Sequence, residues 1–405
     1  MTLQTPKRLA LTCIFLISFL FTVHAQTATA EKPALQEVGA AEMQGFIDAG
    51  KYPGISTLII QDGKEVQQNL FGHADMENKE KMDRSTIVRI YSMTKPVKAV
   101  AIMQLVEEGK LSLDDKVSDF IPAFANTKVY TEKDGKVSME AQASPMTVRN
   151  LLTHTSGLVY GWDPNHYVDS VYRAGGLTIE TYLTGTIKEK VDILATMPLK
   201  NQPGTKWEYG LSTDVAGYIV EIISGKSLDV YFEENILNPL KMEDSGFYVP
   251  EEKVDRFAEV YFPDKEGKLQ NMSIQRPNAY LSPPSISYGG SGLVSTLDDY
   301  ARFCTMLLNG GQLDGIRVLE ESSVKTIMSN NLPEGVMYHP KYDYGLSGHV
   351  DKETGEYHWS GAASTAFFVN PSNNTIIITF SQVFPADHTY WYTFKGILDN
   401  AMAEK

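Results

Sequence analysis

Ile87-Val88-Arg89-Ile90-Tyr91-Ser92-Met93-Thr94-Lys95-Pro96-Val97-Lys98-Ala99-Val100-Ala101-Ile102-Met103-Gln104-Leu105-Val106-Glu107-Glu108-Gly109 is the stretch in which fold and chemistry are read together. A short apolar run leads into a helix in which Val97, Ala99, Val100, Ala101, Ile102, Met103, Leu105 and Val106 leave almost no polar face. That pattern belongs to a helix buried in the middle of a domain. Pro96 is tolerated because it falls near the first turn, where backbone donors have no helical partner. Gly109 ends the helix as a C′ residue does. Ser92 and Lys95 therefore open a buried helix, one turn apart and on one face. A serine hydroxyl is a poor nucleophile until a neighbouring base takes its proton. A lysine desolvated in a core can lose its own proton and act as that base, or hold a tyrosinate that does so. An N-cap serine followed by a snorkelling lysine accounts for the same residues structurally, and this stretch alone does not choose between the two.

Outward from this helix, strand signals lie at both ends of the chain and helical ones in the middle. Ala34 to Ala49 carries a helical pattern closed by Gly50. Ile55 to Ile60, Asp62-Gly63 and Val66 to Phe71 read as a hairpin, because Asp-Gly supplies the positive φ values of a tight turn. Thr365 to Val369, the turn Pro371-Ser372-Asn373-Asn374 and Thr375 to Ser381 read as a second, followed by a helix near Tyr390 to Met402. Strands at both termini, each flanked by a helix, predict an α+β fold with one antiparallel sheet built from the two ends of the chain. From about Leu113 to Asn309 helical segments alternate with loops rich in Gly, Pro and Tyr. The expected organisation is a sheet domain of residues 26–110 and 310–405, a mostly helical inserted domain of residues 111–309, and an active site between them.

Composition narrows the function. The 405 residues are 42% apolar and 21% charged, a globular mix with a formal net charge of −14. An acidic surface argues against nucleic-acid partners, which need dense Lys and Arg. Two cysteines, Cys13 and Cys304, cannot build a disulfide framework or a thiolate metal site. Neither a His-Glu-x-x-His metal signature nor a P-loop nor a dinucleotide fingerprint occurs, so the sequence implies no cofactor. Gly-x-Ser-x-Gly is also missing; Gly289-Gly290-Ser291-Gly292-Leu293 lacks its last glycine.

At the N-terminus, Lys7 and Arg8 precede an apolar run from Leu9 to Val23, and Val23-His24-Ala25 gives the small-x-small pattern of a signal-peptidase site. A signal peptide over residues 1–25, cut after Ala25, predicts a periplasmic or secreted protein with no membrane span left after cleavage. An uncleaved anchor is the alternative, but the run is short of the roughly 20 residues a bilayer requires.

Ser-x-x-Lys occurs a second time at Ser322-Ser323-Val324-Lys325, in a polar stretch that reads as an exposed helix start. Only the copy at Ser92 is followed, in order, by Leu151-Leu152-Thr153-His154-Thr155-Ser156-Gly157-Leu158, Pro203-Gly204-Thr205-Lys206-Trp207-Glu208-Tyr209 and His358-Trp359-Ser360-Gly361-Ala362. With Gly289 to Leu293 and Pro239-Leu240-Lys241-Met242, this set resembles the serine β-lactamase-like superfamily of class C β-lactamases, D-Ala-D-Ala carboxypeptidases and family VIII carboxylesterases. The likeness covers roughly residues 35 to 400. It implies that Ser92 is the acylated nucleophile, Lys95 its proton partner and Tyr209 the base for attack and acid for the leaving group. It also implies a substrate-lining strand at Trp359 and Gly361, with the Ala362 N–H joining that of Ser92 in an oxyanion hole. Two departures point within the group. Leu211 stands where β-lactamases carry Asn, and Trp359 replaces the lysine of their Lys-Thr-Gly strand. Trp-x-Gly is similar to the family VIII esterases, so the expected substrate is a small ester, with an amide or β-lactam as the alternative. In the resembling family the His154 segment is a structural element behind the tyrosine loop. Asp214 reads as a local hydrogen-bonding residue, and Trp207 and Trp359 as walls of an apolar pocket or as core. A non-catalytic binding protein using the same cleft is the alternative outside enzymology. The sequence is silent on oligomeric state.

Overall fold

A computed structural model describes residues 1–2, 35–177, 185–273 and 280–403. The signal-peptide segment lies outside the described residues, apart from Met1 and Thr2. Among the described residues, no helix is long and apolar enough to cross a membrane. Residues 34–405 form one compact unit.

Its centre is an eight-stranded antiparallel sheet. The strands are β1 (Gly54–Gln61), β2 (Lys64–Asp75), β3 (Glu80–Lys81), β4 (Tyr342–Tyr344), β5 (His349–Asp351), β6 (Tyr357–Gly361), β7 (Thr365–Asn370) and β8 (Thr375–Phe380). Their spatial order is β4-β5-β6-β7-β8-β1-β2-β3, so the two ends of the chain meet where β1 pairs with β8, Ser56 opposite Phe380. This is the sheet expected from the hairpin signals. Asp62 and Gly63 take φ of 51° and 70° between β1 and β2, which a side chain larger than Asn or Asp tolerates poorly.

Alternation along the strands sends side chains into two cores. Phe367, Val369, Ile376 and Ile378 face one way, into the main core. Ala366, Phe368 and Ile377 face the other way, into a smaller core with Met43, Trp391, Phe394 and Leu398. The smaller core is closed by the helices Ala40–Asp48 and Thr389–Ala403, which touch each other on this one face of the sheet. The N-terminal helix is shorter than its pattern: Leu35–Glu37 forms a separate 3-10 turn, because Gly39 adopts φ 74° and interrupts the run.

On the opposite face the Leu297–Leu308 helix packs on β7 and β8, and the buried helix Thr94–Glu107 packs against Ser212–Ser224. The middle of the chain is helical, and among the described residues four short two-stranded ribbons that the sequence pattern does not announce lie outside the main sheet, one of them pairing Gln312–Leu313 with Ile316–Arg317. The other three pair Val88–Arg89 with Val294–Ser295, Val129–Lys133 with Lys136–Glu140, and Tyr261–Pro263 with Leu269–Asn271. Strands of two to five residues carry too little alternation to be seen.

Candidate active site

Ser92 lies in a 3-10 turn, Tyr91–Met93, that runs directly into the Thr94–Glu107 helix. Tyr91 takes φ 42°, an unfavourable value for a residue with a bulky side chain, so the turn must be held by its surroundings. Three hydrogen bonds hold it. Thr94 Oγ1 donates to the Tyr91 carbonyl at 2.6 Å, Tyr300 OH donates to the Met93 carbonyl at 2.9 Å, and the Leu293 N–H donates to Thr94 Oγ1 at 3.2 Å.

Lys95, fully buried, donates from Nζ to Ser92 Oγ at 3.0 Å and to the Gly290 carbonyl at 2.6 Å. The Gly290 N–H in turn donates to Asp214 Oδ1 at 2.9 Å, which fixes that peptide. A Cβ at Gly290 would sit 2.6 Å from Thr213 Oγ1, so glycine is what lets the chain pass close to the Ser212–Ser224 helix. Tyr209 OH donates to Ser92 Oγ at 2.8 Å, and Lys95 Nζ stands 4.7 Å from the centre of the Tyr209 ring. The structure thus brings together the three residues singled out first, across 117 residues of chain between Ser92 and Tyr209. Ser322, by contrast, is exposed in the Glu321–Ile327 helix, as is Lys325.

The loop carrying Tyr209 is braced from behind by the Thr153–Gly157 segment. The Glu208 N–H donates to the His154 carbonyl at 2.7 Å, and the Gly210 N–H donates weakly to His154 Nδ1 at 3.4 Å. A Cβ on Gly210 would fall 2.1 Å from the Leu158 carbonyl oxygen, a contact only glycine permits. The His154 ring lies 4.7 Å from that of Tyr209, and its Nε2 has no hydrogen-bond partner. Burial, and then the ammonium groups of Lys95 and Lys98, push the imidazole well below its usual range. A neutral His154 packed under Tyr209 is a support, as the resemblance implied.

Strand β6 runs beside the Ser92 turn. Gly361 is where the two backbones come closest: a Cβ there would meet the Ile90 carbonyl oxygen at 2.3 Å. Ala362 follows in the turn to β7, half-buried. Trp359 is 8% exposed, with its ring 5.8 Å from Tyr209, 5.5 Å from Tyr344 and 4.6 Å from His349. Trp207 stacks on Tyr209 at 6.0 Å, with 13° between the rings. Tyr209 is therefore walled by aromatic rings on several sides, with no cation on β6.

Sequence reasoning missed two features. Gly290 acts through its main-chain carbonyl, which residue type does not announce. Lys98, which the apolar pattern of the helix passes over, is fully buried and donates to Ser347 Oγ at 3.0 Å. Burial first, and then the neighbouring Lys95, hold its ammonium well below the usual lysine range. The spacing Lys95-x-x-Lys98 was the available signal, since it puts both lysines on one helix face.

A serine hydroxyl meeting one amine and one phenol at hydrogen-bond distance, at the start of a buried helix, defines a serine hydrolase. The β-lactamase family model matches residues 40–398, and the chain belongs to that family. Its relatives include protein Rv1367c of Mycobacterium tuberculosis, 33% identical over 368 residues, which span 85% of this chain and 89% of that protein. Esterase EstB of Burkholderia gladioli is 28% identical over 304 residues, 68% of this chain and 73% of EstB. Among solved structures, EstCE1, a hydrolase with promiscuous acyltransferase activity, superposes with a TM-score of 0.73 at 24% identity, covering 89% of this chain and 98% of that one.

Proposed function

We propose that this protein is an exported carboxylesterase that hydrolyses small esters through a Ser92 acyl-enzyme. The observation that carries the reading is the Tyr209 OH–Ser92 Oγ–Lys95 Nζ arrangement at 2.8 and 3.0 Å. In the proposed cycle Tyr209 reacts as the phenolate, its own proton released to solvent before attack. Its O takes the Ser92 proton as Oγ bonds to the ester carbonyl carbon, and until then the Lys95 ammonium offsets the phenolate charge. Tyr209 then returns the proton to the departing alkoxide as the carbon–oxygen bond breaks. Water repeats the exchange on the acyl-enzyme and frees Ser92. The N–H groups of Ser92 and Ala362 are assigned to the carbonyl oxygen, and Gly361 lets that edge of the strand approach it. Trp359 supports ester over β-lactam, because an indole donates only one neutral N–H and cannot neutralise a carboxylate.

The position of Ser92 between the β6 edge and the Tyr209 loop supports the division expected from sequence, a sheet domain of residues 26–110 and 310–405 and a helical insertion of residues 111–309. The charge run and cleavage pattern of residues 1–25 support export. Rates on p-nitrophenyl butyrate, nitrocefin and a D-Ala-D-Ala peptide test the activity. Faster turnover of the first supports the esterase. Equal or faster turnover of nitrocefin or of the peptide replaces it with a β-lactamase or a carboxypeptidase. Loss of all three with ligand still bound replaces it with a binding protein.

A further inference from the structure

A cavity of about 230 Å³ opens beside Tyr209. One part of its wall is aromatic: Tyr160, Trp162, Trp207 and Tyr209. The Tyr160 and Trp162 rings stack at 4.4 Å with 12° between them, which holds an indole that is 59% exposed at the cavity's edge rather than in the core. The other part is charged: Asp163, Asp169, Glu208 and Lys200. Lys200 is already engaged, with Nζ 2.9 Å from Glu208 Oε1 and 3.3 Å from Asp169 Oδ2. His166, next to Asp169, uses Nδ1 to accept the Val168 N–H. Asp163 Oδ1 accepts from the Asn165 N–H, and Asp163 makes no ion pair among the described residues. Three carboxylates thus face one ammonium, and that ammonium is committed to two of them.

Arg173, beside this wall, spends its guanidinium on the Gly161, Asp163 and Pro164 carbonyls, so an anionic group would meet an excess of carboxylates over cations, each cation already engaged. A plain hydrocarbon would cover carboxylates without compensating them, at a desolvation cost. An alkylammonium fits both parts, since aromatic faces attract it through their quadrupoles and nearby carboxylates offset its charge without requiring a directed hydrogen bond. We propose that this cavity is a subsite for an alkylammonium group carried by the substrate, seated against Trp162, Tyr160 and Trp207 and balanced by Asp163, Asp169 and Glu208. The proposal deepens the esterase reading and depends on it only for its kinetic arm.

The kinetic arm compares each cationic ester with its uncharged isostere. Butyrylcholine against 3,3-dimethylbutyl butyrate places the cation on the alcohol. p-Nitrophenyl 4-(trimethylammonio)butyrate against p-nitrophenyl 5,5-dimethylhexanoate places it on the acyl chain. The cationic member of at least one pair is expected to have a kcat/KM about ten times higher. Trp162→Leu and Asp163→Asn, both at solvent-accessible positions, should each lower that preference several-fold. Ratios near one in both pairs, with p-nitrophenyl butyrate still hydrolysed, would overturn the subsite and leave the esterase standing. The second arm needs no turnover: tetramethylammonium should quench tryptophan fluorescence of the full protein saturably, and Trp162→Leu should abolish the effect. If no ester is hydrolysed, saturable quenching still supports the subsite, and its absence overturns it.

Discussion

Replacing Tyr209 with Phe removes one oxygen and keeps the ring in place. The ring is held by Trp207 at 6.0 Å, Trp359 at 5.8 Å, His154 at 4.7 Å and Tyr160 at 5.3 Å, none of which needs the hydroxyl. What is lost is the 2.8 Å hydrogen bond to Ser92 Oγ. If that bond only orients the serine, its net worth is about 1 kcal/mol, roughly a fivefold effect. If Tyr209 carries the proton, the variant loses general acid–base catalysis, which contributes about 10²–10⁴-fold, or about 2.7–5.5 kcal/mol. The two cases are separated by more than an order of magnitude. Steady-state kcat/KM on p-nitrophenyl butyrate, with the melting temperature of each protein as the control for folding, reads the difference. The expected result is a fall of at least about a hundredfold with the melting temperature lowered by no more than a few degrees. A fall of less than about tenfold in a folded variant would refute the role of Tyr209 as proton carrier.

Trp359→Lys should raise the ratio of kcat/KM for nitrocefin over p-nitrophenyl butyrate by about ten- to a hundredfold, from one charge-assisted hydrogen bond of about 1.5–3 kcal/mol. Because the ring is 8% exposed, the same variant should lose about 3–5 kcal/mol of stability by denaturant titration; an unchanged ratio in folded protein would make Trp359 a packing residue. Lys98→Met tests the buried second lysine. Its folded-state pKa is depressed, so between that value and the usual lysine value the unfolded chain holds a proton that the folded chain does not, and wild-type stability should rise with pH across that window. The variant should show a flatter dependence, and an identical slope would mean that Lys98 keeps its proton on folding. Exported protein should begin at Gln26 by N-terminal sequencing, and a start at Met1 would contradict cleavage.

The sheet and its two hairpins were legible because their turns are chemically explicit: Asp62-Gly63 and the Pro371 to Asn374 segment allow little else between apolar runs. The buried helix and the Ser92–Lys95 pair were legible because one turn of helix fixes their proximity. Tyr209 was not readable locally. Only its place in an ordered series of motifs pointed to it, since nothing in Trp207-Glu208-Tyr209-Gly210 reveals a partner 117 residues away. The edge strands β4 and β5 were missed because Tyr342–Tyr344 and His349–Asp351 are three residues each, too short for a period to emerge. Their consequence is the aromatic and imidazole packing behind Trp359. Tyr338 OH bonds His349 Nε2, and His349 Nδ1 lies 2.9 Å from His358 Nε2. Burial pushes His349 down to about 3, which keeps the pair uncharged. Such layers depend on sheet order, which the alternation of single strands does not encode.

The Ser92 acyl-enzyme is tested most directly by trapping it. Protein mixed with p-nitrophenyl butyrate and quenched in acid within the first turnover should carry the mass of one butyryl group. Digestion should map that group to the peptide containing Ser92, Ser92→Ala should carry none, and Ser322→Ala should carry it as the wild type does. A butyryl group on any other residue, or hydrolysis by Ser92→Ala at the wild-type rate, would contradict the mechanism.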